Sequence, residues 1–175
     1  GLYITDWASM DNSSRNPYLK NGGTGVDISC EMVLFARQLS YIAKLIGKRA
    51  DSNDLTRQAD DLAAIINREM WDDKRKFYFD LQLDGKRAPV KSVAAYWALI
   101  SKVASQDQAL ALATELTNPA TFGRLNRVPT LAGDEPGFDS TGGYWLGAVW
   151  APTETMAIRG LESYGYNDLA RQIAM

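Results

Sequence analysis

At 175 residues, with a formal net charge of −2, 46% hydrophobic and 23% charged residues, the chain has the balance of one globular domain with ample core. No basic run stands out, which argues against nucleic acid or an anionic membrane as a partner, and there is no histidine, which removes His-based triads, imidazole bases and His metal sites. Acid–base chemistry is left to carboxylates, tyrosine or lysine. The single cysteine, Cys30, lies among Ile28, Met32 and Val33 and reads as a buried thiol with no intrachain disulfide.

The first element is a loop, "DWASMDNSSRNPYLKNGGTGVD". Asn, Ser and Gly in such a run predict tight turns, with an Asx-turn at Asp11. Turn chemistry does not account for Trp7 and Arg15 flanking a lone carboxylate with Asn12 beside it. A helix is predicted over 27–46, where Ile28, Met32, Phe35, Leu39, Ile42 and Ile46 recur at steps of three or four and form one apolar face. Asp27 is the expected N-cap and Gly47 the stop. A second helix follows over 52–71, with Leu55, Ala59, Leu62, Ile66 and Met70 inward, and the pair makes an antiparallel hairpin.

"KFYFDLQLDGKRAP" changes the period to two, with Phe77, Phe79, Leu81 and Leu83 alternating against Tyr78, Asp80 and Gln82. Asp84-Gly85 supplies the turn of a short β-hairpin. Helices resume over 92–104 and 105–116, the latter opened by Ser105 and Gln108 at capping-box spacing. Residues 118–153 have no regular period, hold four of the six prolines and six of the fourteen glycines, and still carry Phe122, Phe138, Tyr144, Trp145 and Trp150. Such a loop reads as functional rather than disordered. Helices return over 153–164, capped by Thr153, and from Asn167 onward.

Six helices in three hairpins, with long loops before the first and fifth, predict an all-α chain built like part of a helical toroid, a single domain over 1–175. The chain begins without Met and stops inside a helical pattern, which suggests a piece of something longer. Half a toroid leaves apolar faces without neighbours, so Met32, Phe35 and Leu39 at one end and Met156, Leu161 and Ile173 at the other are expected to meet another copy or chain.

In "GGYWLGAVWAPTETMAIRGLESYGY", Gly142 and Gly143 allow close backbone approach. Tyr144, Trp145 and Trp150 offer flat faces suited to pyranose rings, or pack beneath the loop as a satellite core. No Walker pattern and no Gly-x-Gly-x-x-Gly follows a strand. "MDNSSR" resembles the "DNSPR"-like loop of the inverting glycosidases of glycoside hydrolase family 63 and the trehalases. "MWDDKRKFYFD" is similar to their "W-D…FYD" turn, and the Gly-Tyr-Trp segment to their Gly-Tyr-Trp-x-Gly-x-Val-Trp-x-Pro stretch. The matches come in family order and span Trp7 to about Tyr164.

The resemblance implies an (α/α)6 toroid, a carbohydrate substrate of α-glucoside or α-mannoside type, and no cofactor or metal. It places Asp11 as the general acid. Trp7, Asn12 and Arg15 would line the sugar, with Tyr144, Trp145 and Trp150 on the opposite rim. Glu154 and Thr155 depart from the Asn that relatives often show. The family's base, a later Glu, has no counterpart here; Glu135, Asp139 and Glu154 are the available stand-ins, so the chain by itself is expected not to hydrolyse. The alternatives are a helical module that only binds carbohydrate and a scaffold that binds protein through the same groove.

Overall fold

The computed structural model describes residues 1–7 and 9–175. Its frame is an antiparallel pair, α2 (Val26–Leu45) and α3 (Arg49–Glu69), preceded by the single-turn α1 (Asn16–Leu19). Gly47, at φ +79°, reverses the chain between them, a left-handed conformation that a side chain would strain. Ser40 Oγ lies 2.8 Å from the carbonyl of Ser52 and 2.8 Å from Thr56 Oγ1, so the polar atoms at this turn are satisfied within the pair.

The buried side of α2 is not the expected one. Val26, Cys30, Val33 and Ala43 are enclosed, whereas Phe35 and Ile42 are half or more exposed. Asp27 does not cap α2 either: Gly25 is the N-cap and Asp27 turns inward from the first helical turn. Burial pushes the Cys30 thiol far above its ordinary value, in keeping with an inert core cysteine.

Strands β1 (Trp71–Asp72) and β2 (Phe77–Tyr78) pair antiparallel, Trp71 opposite Tyr78. This two-stranded sheet lies earlier than the Asp84-Gly85 turn, which closes a smaller excursion through an isolated Leu81–Arg87 bridge. The expected alternation also fails from Phe77 to Leu81, where all five residues are buried, while Leu83 is exposed. Phe77 stacks on Phe122 at 5.7 Å, and Tyr96 meets Phe122 edge-on at 5.3 Å; burial of successive residues from 77 to 81 means that the strand is covered on both faces.

The helical run after it is shorter than predicted. A 3-10 turn (Val93–Tyr96) leads into α4 (Trp97–Ile100), which ends before Lys102 at φ +60°. Helix α5 (Gln106–Thr117) carries the predicted box: Gln108 N donates to Ser105 Oγ at 3.2 Å and Ser105 N to Gln108 Oε1 at 2.7 Å. Helix α6 (Ala151–Ser163) lies across α4, where Gly160 is required because a Cβ there would meet Leu99 Cβ at 2.6 Å. Trp150 is the N-cap of α6, and Thr153 is one turn inside, its hydroxyl donating to the Trp150 carbonyl at 2.9 Å. Helix α7 (Asn167–Ile173) packs back on α6. Met156, Leu161 and Ile173 are therefore buried, contrary to the expected exposure at that end.

Candidate active site

Two loops far apart in sequence meet. Residues 9–15 form the turn before α1, and residues 139–150 form the turn before α6. The second is shaped by three successive positive φ angles, Gly142 at +111°, Gly143 at +48° and Tyr144 at +63°, and ends in a 3-10 turn over Tyr144–Leu146. Gly143 also lies against Asp139, where a Cβ would stand 2.6 Å from Oδ2. Asp139 is itself engaged locally, accepting from the amide and hydroxyl of Thr141, and these hydrogen bonds hold its carboxyl below the usual range.

The Tyr144 hydroxyl donates to Asp11 Oδ2 at 2.8 Å. That bond to a carboxylate raises the Tyr144 phenol above its ordinary 10.0. The Asn12 side chain donates to the Gly143 carbonyl at 2.9 Å and accepts from Trp145 N at 2.9 Å. Trp145 and Trp150 stack with centroids 5.2 Å apart, and Tyr144 stands edge-on to Trp150 at 5.3 Å. The indole N–H of Trp150 donates to the Tyr144 carbonyl at 3.3 Å. Asp11, Asn12, Tyr144, Trp145 and Trp150 are thus one constellation, with Asp11 and Tyr144 exposed. Trp7 is 54% exposed and its backbone is tied to Thr5, and among the described residues no hydrogen bond or ring contact joins it to that group.

Arg15 has a different place from the one expected. It has no exposed surface, so no sugar reaches it. Its Nε and one terminal nitrogen donate to Asp80 at 2.8 Å, and its terminal nitrogens donate to Asp27 at 2.7 and 2.8 Å. Asp80 Oδ1 also accepts from Val26 N at 2.9 Å. The cluster ties the Asp11 loop, the start of α2 and the end of the strand segment into one unit. Neither Asp27 nor Asp80 was legible as a partner; the one local hint was a charged residue closing an aromatic run.

Of the base stand-ins, Glu135 accepts from Lys91 N at 2.8 Å and lies 3.7 Å from Arg75. Burial raises its carboxyl above the ordinary range. Among the described residues, no group of His, Cys, Asp and Glu is arranged to hold a metal ion, and no helix is long and apolar enough to cross a membrane.

The chain is 30% identical over 141 residues to the mannosylglycerate hydrolase of Rubrobacter radiotolerans, covering 78% of this chain and 31% of that one. It is 30% identical over 126 residues to the cytosolic neutral trehalase of Kluyveromyces lactis, covering 70% and 17%. The chain thus spans about a third or less of the length of the curated relatives it matches. Among solved structures, the family 63 mannosylglycerate hydrolase of Thermus thermophilus, in complex with glucose, superposes with a TM-score of 0.80 at 23% identity over 91% of this chain and 40% of that one. The neutral trehalase of Saccharomyces cerevisiae gives 0.77 at 20% identity, over 95% and 32%. Their shared fold identifies the helices here as part of an α/α toroid of the six-hairpin glycosidase type. With residues 6–175 matched by its model, the chain belongs to the mannosylglycerate hydrolase MGH1-like glycoside hydrolase domain family.

Proposed function

We propose that this chain carries the general acid and part of the sugar subsite of an inverting glycoside hydrolase acting on an α-mannoside or α-glucoside. The single observation that carries the reading is the contact of the Asp11 carboxylate with the aromatic turn through Tyr144. Tyr144 occupies Oδ2, and among the described residues Oδ1 has no hydrogen-bond partner. Oδ1 is the oxygen that would hold the proton delivered to the leaving glycosidic oxygen. Trp145 and Trp150 offer indole faces against which the apolar face of a pyranose packs. Arg15 serves here by holding the loop and not by touching sugar.

Inversion needs a second carboxylate about 6.5–9.5 Å from the acid to activate water. Glu135 is committed to Lys91 and Arg75, and Asp139 to Thr141. Glu154, in the first turn of α6, matches no base motif of the family either, and in this reading the base comes from a part of the protein beyond this chain. The chain alone is then expected to bind mannosylglycerate or trehalose, seen as a change in tryptophan fluorescence, and to release no sugar above background. In a protein that joins this chain to the remaining length its relatives carry, Asp11→Asn is expected to lower turnover by about 10²–10⁴-fold and to leave binding in place. Full activity in that variant would move the acid elsewhere. Turnover by the chain alone would show that it holds its own base. Binding without turnover in the joined protein would favour a module that only binds carbohydrate. The reading also includes association with a second copy or another chain through the exposed row on α2.

A further inference from the structure

We infer that Asn12 is a positioning residue that sets the hydroxyl of Tyr144 on Asp11, and not a group that binds sugar. Its two side-chain hydrogen bonds go to the carbonyl before Tyr144 and the amide after it, at 2.9 Å each. They bracket one residue. That residue has a left-handed backbone at φ +63°, uncommon for a bulky side chain and persistent only where its surroundings hold it. A third contact, from the Trp150 indole to the Tyr144 carbonyl, holds the same peptide from the other side. The amide of Asn12 has its donor facing a carbonyl and its acceptor facing an N–H, the one orientation that satisfies both.

Because Asn12 follows Asp11 directly, the clasp and the carboxylate move as a unit. Any shift of the 142–145 turn relative to the 9–15 loop breaks the clasp and the Tyr144–Asp11 bond together. Asp139, the other carboxylate at this turn, bonds locally to Thr141 through Oδ1, and the phenol goes to Asp11 instead. The clasp stands on geometry alone. Its consequence for catalysis rests on the assignment of Asp11 as the acid.

The test is a pH titration of the 175-residue chain with tyrosine labelled at Cζ with carbon-13, the Tyr144 signal being assigned by its loss in Tyr144→Phe. In the unmodified chain the Tyr144 phenol is expected to titrate above the ordinary 10.0. Asn12→Ala and Asp11→Asn should each bring it down toward that value. The signals of buried Tyr78 and Tyr96 should stay in place, showing that the fold is retained. Should Asn12→Ala fail to fold, Asn12→Leu, which keeps the side-chain bulk and loses both hydrogen bonds without adding a charge beside the phenol, is read in the same way. A Tyr144 titration unmoved by a folded Asn12 variant overturns the proposal. So does loss of mannosylglycerate binding in a variant whose titration is unchanged. Since the readout needs no turnover, the clasp can succeed or fail whether or not Asp11 proves to be the acid.

Discussion

The Arg15 guanidinium is enclosed by Asp27 and Asp80 with no exposure of its own. Removing it leaves two buried carboxylates without their cation, and breaking a buried pair from one side typically costs about 3–5 kcal/mol. Arg15→Ala is therefore expected to lower the unfolding free energy in urea by that amount, whereas Asp54→Ala, which breaks the exposed pair with Arg57, should cost less than about 1 kcal/mol. Equal effects would mean that the cluster is not a structural anchor. The arginine itself was visible in the sequence; its partners, 12 and 65 positions away, were not. The family resemblance placed Arg15 on the sugar with Trp7 and Asn12, and nothing near it in the chain pointed instead to its buried partners. Asp11, Asn12 and the three later aromatics do come together in space, and each lies in a short motif that can be read without tertiary knowledge.

At the level of elements, local signals held in part: the caps expected at Asp27 and Thr153 lie one or more residues inside their helices. The Ser105–Gln108 box and the glycine stop after α2 depend on neighbours within four residues, and both are present. Helix faces are a different matter, because periodicity finds an apolar stripe without saying what covers it. In α2 the deep contacts are made by Val33 and Cys30, while Phe35 and Ile42 stand 55% and 50% exposed, continued by Leu45 at 67% and Ile46 at 64%. The strand segment failed for the related reason that two-sided burial erases alternation. The order of side-chain size should therefore invert in mutational cost. Val33→Ala removes two fully buried carbons, worth about 1.6 kcal/mol, while Phe35→Ser in the monomer should cost less despite the larger loss. The exposed row is where the proposed association would occur. Light scattering should show a species above 19.3 kDa for the unmodified chain and a shift toward that mass for Phe35→Ser with Ile42→Ser. A monomer in both cases would remove association from the reading.

Across the whole molecule, the loops of the site hang on the core through carboxylates whose protonation decides how stability responds to acid. Burial on its own pushes the Asp27 carboxyl up, and the charge and hydrogen bonds of Arg15 outweigh it, holding the group below its ordinary 3.8. A depressed carboxyl contributes stability that is complete above the unfolded value and is lost as pH falls through the folded one. The Asp27 contribution should accordingly disappear below 3.8. Two half-buried glutamates act in the opposite sense. Burial, with repulsion from Asp27, raises Glu31 above 4.5, and burial raises Glu135 likewise. The folded state takes up their protons first, so stability rises as pH falls from neutrality toward 4.5. Asp72, Asp84 and Asp139 are also depressed, but by local hydrogen bonds at exposed positions where solvent screens the effect. The unfolding midpoint in urea, followed against pH, should therefore pass through a maximum in the mildly acidic range and fall on its acid side. Glu31→Gln with Glu135→Gln should flatten the neutral side of that curve while leaving the acid fall in place. Asp27→Asn should remove part of the acid fall, at lower stability throughout. A midpoint that rises steadily from the acid limb to neutrality in the unmodified chain would show that the two glutamates keep their hydration, and that the α2 start is more open than its packing around Arg15 requires.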